Sequence, residues 1–239
     1  MKLIMILAIF FASTSYGFVL LNPKFELNDP TKTKIKVSSE GCTANGISDD
    51  EVAEAIKWAI DFWNDVPESR LKLSYGGKST ASVNDSSLPK NEIIVGCESL
   101  PSLQILGSTN SDYTNGSARI KMNNAVYTGN YNSKSFIGTL THEIGHGLGL
   151  FHSNDPASVM TYVSHEWVDR PSYISQDDID GIVYLYPNES SLGGLGGSCS
   201  SFASDDVPAS NFYVDFLIGL FTIMCISFLM QKGLRKLFK

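Results

Sequence analysis

The spacing of apolar and polar positions changes several times along the chain, and each change marks an element. Between Lys32 and Ser38 polar residues alternate with Ile35 and Val37, the period of a half-buried strand. Ser48-Asp49-Asp50-Glu51 is a capping box: a serine with a glutamate three residues on satisfies two free backbone N–H groups where a helix starts. Val52, Ala55, Ile56, Ala59 and Trp63 follow at helical spacing, which predicts a long first helix ending before Pro67. Leu71-x-Leu73-x-Tyr75 and Ile93-Ile94-Val95 read as further strands and Arg119-Ile120-Lys121-Met122 as a short one, with the intervening Gly, Ser and Asn residues marking loops. Ile137, Leu140, Ile144 and Leu148 return to helical spacing. A last helix is predicted from Ser175 to Tyr186, with Ile179, Ile182, Val183 and Tyr186 on its buried face.

The two ends of the chain have a different character. Met1-Lys2 followed by the apolar run Leu3 to Ala12, with small residues at Ser15 and Gly17, reads as a signal peptide over residues 1–17, cleaved before Phe18. Ten apolar residues are too few to span a bilayer easily. Residues 18–190 form the expected folded domain, and the Gly/Ser-rich stretch 191–211 is a linker. Residues 212–230 are apolar except for Asp215, long enough for a transmembrane helix, and a basic tail, 231–239, follows on the cytoplasmic side. The same segment also fits a sorting signal that is recognised and cut. A domain outside the cytoplasm, held to the membrane by its C-terminus or released at the cell surface, is the localisation these ends imply.

Composition narrows the partners. The net charge of −7 and the absence of a basic patch outside the last eight residues argue against nucleic acid, because phosphate binding needs clustered Lys and Arg. Four cysteines are present; Cys42 and Cys97 lie in the exported domain, where a disulfide can form, while Cys199 and Cys225 fall in the linker and the span.

Three of the four histidines lie within Thr141-His142-Glu143-Ile144-Gly145-His146-Gly147-Leu148-Gly149-Leu150-Phe151-His152. On a helix His142 and His146 stand roughly 40° apart around the axis and about 6 Å along it, so both imidazoles face one side. Ile144 and Leu148 lie roughly 200° away from them, so the apolar stripe packs inward while the histidines face elsewhere. Glu143 reaches the same space without having to bind the ion, where a base takes a proton from a metal-bound water. Gly147 and Gly149 tolerate the left-handed turn that ends a helix, and the reversal can deliver His152 as a third ligand. Three neutral imidazoles around Zn2+ leave a fourth position for a water whose pKa falls to about 7.

The pattern His142-Glu143-x-x-His146-x-x-Gly149-x-x-His152 resembles the metzincin clan of zinc endopeptidases, whose second signature is a downstream methionine turn, here Ser158-Val159-Met160. Ser153, Asp155-Pro156 and Ser175-Gln176-Asp177-Asp178-Ile179-Asp180-Gly181 narrow the resemblance to matrixins, the matrix-metalloproteinase group. It is most specific over residues 136–187. The resemblance implies an α+β metzincin fold, with a twisted, mostly parallel sheet, a zinc-binding helix and a C-terminal helix. It implies one catalytic zinc on His142, His146 and His152, Glu143 as general base and then proton donor to the leaving amine, and Met160 beneath the ligands. Hydrolysis of internal peptide bonds in polypeptide substrates is the implied reaction. In matrixins whose mature chain begins with phenylalanine, the ammonium can pair with the second aspartate of the C-terminal helix, here Asp178, while the first, Asp177, braces the methionine turn.

The chain departs from the family in places. Tyr162 stands two residues beyond the methionine, an offset at which related families place a zinc or oxyanion contact. Only about a dozen residues separate the signal peptide from the first strand, which leaves no room for the cysteine-bearing propeptide. One spare histidine cannot assemble the histidine-rich structural zinc site of vertebrate relatives. Carboxylates and carbonyls are compatible with Ca2+ but leave no tight spacing to identify its sites. Two other readings stay open: a membrane-tethered, zinc-binding adhesion or scaffold protein with a dead site, which intact Glu143 disfavours, and a thermolysin-type peptidase with a downstream Glu as third ligand, which His152 and Met160 disfavour.

Overall fold

The computed structural model describes residues 17–127, 134–161 and 174–188, all within a compact unit that spans Met1–Leu195. Its centre is a five-stranded sheet. β1 (Lys34–Val37) is flanked in parallel by β2 (Ser74–Lys78) and β3 (Glu92–Glu98). β4 (Gly107–Asp112) runs antiparallel to β5 (Ser117–Asn123), which is itself parallel to β3, so the order is β2-β1-β3-β5-β4. Parallel strands covered on both faces are expected to be rich in β-branched residues, and Ile35, Val37, Ile93, Ile94 and Val95 are fully buried.

One face of the sheet carries the main core, formed with α1 (Asp49–Asn64) and α2 (Lys134–Leu148). The other is covered by the segment after β2, where Ala81, Val83 and Leu88 pack on Ile94. The Ser48 capping box starts α1, and Trp63 near its end donates from its indole nitrogen to the backbone carbonyl of Thr141 in α2 at 3.0 Å. The two helices are thereby locked at the level of the metal motif. α3 (Gln176–Leu185) starts on a second capping box, Ser175 with Asp178. Tyr186 follows it, and its buried hydroxyl donates to Leu148 O at 2.5 Å while accepting from Leu27 N at 3.0 Å. The end of α2, the N-terminal segment and α3 therefore meet at one phenol.

Two strand expectations are corrected. Leu71 and Leu73 are buried, but the strand begins only at Ser74. The Asn64 side chain accepts from Leu73 N and donates to Leu73 O, and Ser69 Oγ accepts from Leu71 N, so side chains replace the ladder there. β4, by contrast, lies where the Gly, Ser and Asn content predicts a loop: its sequence GSTNSD pairs residue by residue with β5.

Cys42 and Cys97 form a disulfide that ties the turn before α1 to β3. Among the described residues no helix is long and apolar enough to cross a membrane. The expected signal peptide up to Tyr16, the linker, the 212–230 span and the basic tail lie outside the described residues.

Candidate active site

α2 carries the first two histidines because its apolar stripe faces the core. Ile137, Leu140, Ile144 and Leu148 are buried, while His142 and His146 are only partly buried and Glu143 meets Thr109 of β4. The helix ends after Leu148, and Gly149 takes φ +110°, where a side chain would collide with the carbonyl of Phe25. The chain then pairs with the N-terminal segment, through Leu21 N to Gly149 O and Phe151 N to Val19 O, and arrives at His152.

The ligating atoms of His142, His146 and His152 all lie within 4.8 Å of one another. Nδ1 of His142 lies 2.7 Å from Val159 O, and Nδ1 of His146 lies 2.8 Å from Leu150 O. A carbonyl can only accept, so each Nδ1 carries its proton and each Nε2 presents a lone pair. Nε2 of His146 and of His152 are 3.2 Å apart; two imidazoles at 2.0–2.1 Å from one tetrahedral zinc would stand about 3.3 Å apart. The donor set fits Zn2+. Burial pushes the His142 pKa down to about 3 and that of His146 to about 4, and lowers that of His152, which keeps the imidazoles neutral and available to a metal.

Glu143 is buried, and burial raises its carboxyl pKa to about 7 against the opposing hydrogen bond from Thr109. Thr109 Oγ1 on β4 lies 2.6 Å from Glu143 Oε2. Met160 sits beneath α2 at Gly145, where any Cβ would overlap its sulfur and crowd Trp63.

The brace on the methionine turn falls to the other aspartate than the sequence-based expectation has it. Asp178, not Asp177, braces the methionine turn: it accepts from Ser158 Oγ at 2.5 Å and Val159 N at 2.9 Å while closing the capping box with Ser175. Position N3 of α3 faces the turn, and the preceding residue is rotated about 100° away from it. Both aspartates line a small cavity with Phe18, Val19, Leu150, Phe151 and Met160, and of their oxygens Asp177 Oδ1 is buried without a hydrogen-bond partner. Tyr162 lies outside the described residues.

A family model for matrixins (peptidase M10) matches residues 30–187. The chain belongs to the matrixin family. Matrixins bind a catalytic zinc, and the three histidines here form a group able to hold it. Similar proteins include macrophage metalloelastase of Oryctolagus cuniculus, 45% identical over 60 residues, or 23% of this chain and 13% of that one. Matrilysin of Homo sapiens is 46% identical over 57 residues, 23% of this chain and 21% of its own. Interstitial collagenase B of Mus musculus is 38% identical over 93 residues, covering 37% of this matrixin and 20% of the mouse protein. The matched stretches thus span about a fifth or less of these relatives.

Gly107 and Thr109 are site residues that sequence reasoning missed. They belong to a strand with no apolar alternation, and nothing in the linear pattern links them to Glu143, 34 residues beyond Thr109. Pairing Ser111 with Ala118 and Thr109 with Ile120, across the turn at Gly116, was the available signal.

Proposed function

We propose that this matrixin is a zinc-dependent endopeptidase acting on polypeptides outside the cytoplasm. The convergence of three imidazoles, two of them with Nε2 freed by an Nδ1–carbonyl hydrogen bond, next in the chain to a buried carboxyl carries the reading. Bound Zn2+ supplies Lewis acidity to the scissile carbonyl and the attacking water. Glu143 takes the proton of that water and returns it to the departing amine, a role suited to a carboxyl poised near neutral pH. β4 is an edge strand paired on one side with β5, which leaves its outer backbone groups to hold an extended peptide by strand addition. Export through residues 1–17 and anchorage through residues 212–230 complete the proposal, supported by their apolar runs and the basic tail.

Purified full-length protein is expected to contain one zinc and to cut internal peptide bonds, with activity abolished by chelators and by hydroxamates. Glu143→Ala should keep the zinc and lose nearly all turnover, since the base is not a ligand. Wild-type turnover in that variant, or activity that survives complete removal of zinc, would overturn the reading.

A further inference from the structure

We propose that β4 seats the general base: Thr109 is a positioning residue that holds the Glu143 carboxylate by one oxygen, and Gly107 keeps the space before the other oxygen clear. The inference rests on the reading of Glu143 as the base. Residues two apart on a strand share a face, and Gly107 and Thr109 both meet Glu143. Thr109 Oγ1 stands 2.6 Å from Oε2 and 2.9 Å from the backbone carbonyl of Glu143. Both are acceptors, and a hydroxyl has one proton to give, so the ionised carboxylate takes the stronger bond. A group that donates once and can also accept suits a base that is alternately ionised and protonated within each turnover.

Gly107 contributes by what it lacks. A Cβ at this position would lie 2.7 Å from Glu143 Cγ and 2.8 Å from Oε1, closer than such atoms approach. Any side chain there would push the carboxyl off the Thr109 hydroxyl. The Glu143 side chain has three rotatable bonds, and burial alone does not choose among its conformers. The hydroxyl on one side and the open glycine position on the other select one. Because β4 is also the edge along which a peptide can lie, the strand that would hold the substrate also orients the base toward it.

The test compares full-length, zinc-loaded wild type with Thr109→Val, Thr109→Ser and Gly107→Ala. Valine keeps the shape of threonine and removes the hydroxyl; serine keeps the hydroxyl and removes the methyl. The Thr109→Val protein is expected to hold one zinc and to lose about tenfold in kcat with KM nearly unchanged, because the lost interaction acts on the base and not on peptide binding. Thr109→Ser should recover most of that loss, and Gly107→Ala should fall as Thr109→Val does. Crystal structures of the metal-loaded variants give a readout independent of turnover: the Glu143 carboxyl should leave its β4 position in Thr109→Val and Gly107→Ala and keep it in Thr109→Ser. A carboxyl that stays in place in Thr109→Val, or a serine variant as slow as the valine one, overturns the inference. Should wild type show no zinc-dependent peptidase activity, the endopeptidase reading fails, and the carboxyl positions still decide whether β4 seats Glu143. If Thr109→Val does not fold, Gly107→Ala and Thr109→Ser decide by the same two readouts.

Discussion

Glu143 and Asp177 are both carboxyls held in places that disfavour their charge, and each leaves a signature in stability. Burial lifts the Glu143 pKa from 4.5 to about 7. A group whose folded pKa is raised stabilises the fold below its unfolded pKa, and that contribution is lost as pH rises through the folded value. Metal-free Glu143→Gln should therefore match wild type near pH 4.5 and gain on it as pH rises to about 7, by up to about 3 kcal/mol. The depressed histidines shift both proteins alike and cancel in the comparison. Thermal melts of the two metal-free proteins at pH 5 and pH 8 check this; a gap that is constant with pH would contradict it. Asp177 has the same sign. Burial is the largest cause of its raised pKa, and Asp178, Asp155 and Asp180 add to it against a hydrogen bond from Ser153. Asp177 and Asp178 both line the cavity with Phe18, and Asp177 Oδ1 is the oxygen left without a partner, so a chain that begins at Phe18 would bring an ammonium near it. Asp177→Asn should then raise the melting temperature at pH 7 of protein carrying residues ahead of Phe18, and lower it in protein that starts at Phe18. A change of the same sign in both would exclude the pairing. The sequence already showed that α3 offers two adjacent carboxylates. It could not show which faces the methionine turn, because the answer depends on the rotation of α3 about its axis.

At the scale of elements, legibility follows how local the cause is. α1 and α3 are readable because their capping boxes and apolar spacing act within one or two turns. α2 is readable for the same reason, and its histidine spacing carries the site with it. β4 is not, because an edge strand with a polar outer row needs no apolar alternation; its stability comes from backbone pairing with β5 and from contact with α2. The Leu71 and Leu73 pattern fails differently. Their alternation correctly marks burial, while Asn64 at the end of α1 takes the backbone groups that a strand would have used. The Cys42–Cys97 bond joins residues 55 apart, and closing a loop of that length removes about 4 kcal/mol of unfolded-state entropy. It anchors the start of α1 to β3, so the helix that fixes α2 through Trp63 is itself fixed to the sheet.

The whole molecule joins a domain whose chemistry is concentrated in one motif to terminal segments with a different composition. The matrixin match covers residues 30–187 and ends near the glycine-rich stretch that begins at Gly193, so the family accounts for the sheet and all three helices α1, α2 and α3. Hydropathy and charge govern the C-terminal segments. Residues 212–230 offer nineteen positions with one carboxylate, near the outer end, about the number of helical residues that crosses a 30 Å hydrocarbon core. Lys232, Arg235, Lys236 and Lys239 come directly after them, and clustered cations at one end of a membrane span would hold that end on the cytoplasmic side. Full-length protein should therefore sediment with membranes and resist extraction by high salt or carbonate, whereas a chain ending at Ser190 should be released with its zinc and its peptidase activity intact. A soluble mature protein that lacks residues 212–239 would show instead that the segment is a sorting signal cut after export. A soluble protein that retains those residues would exclude both.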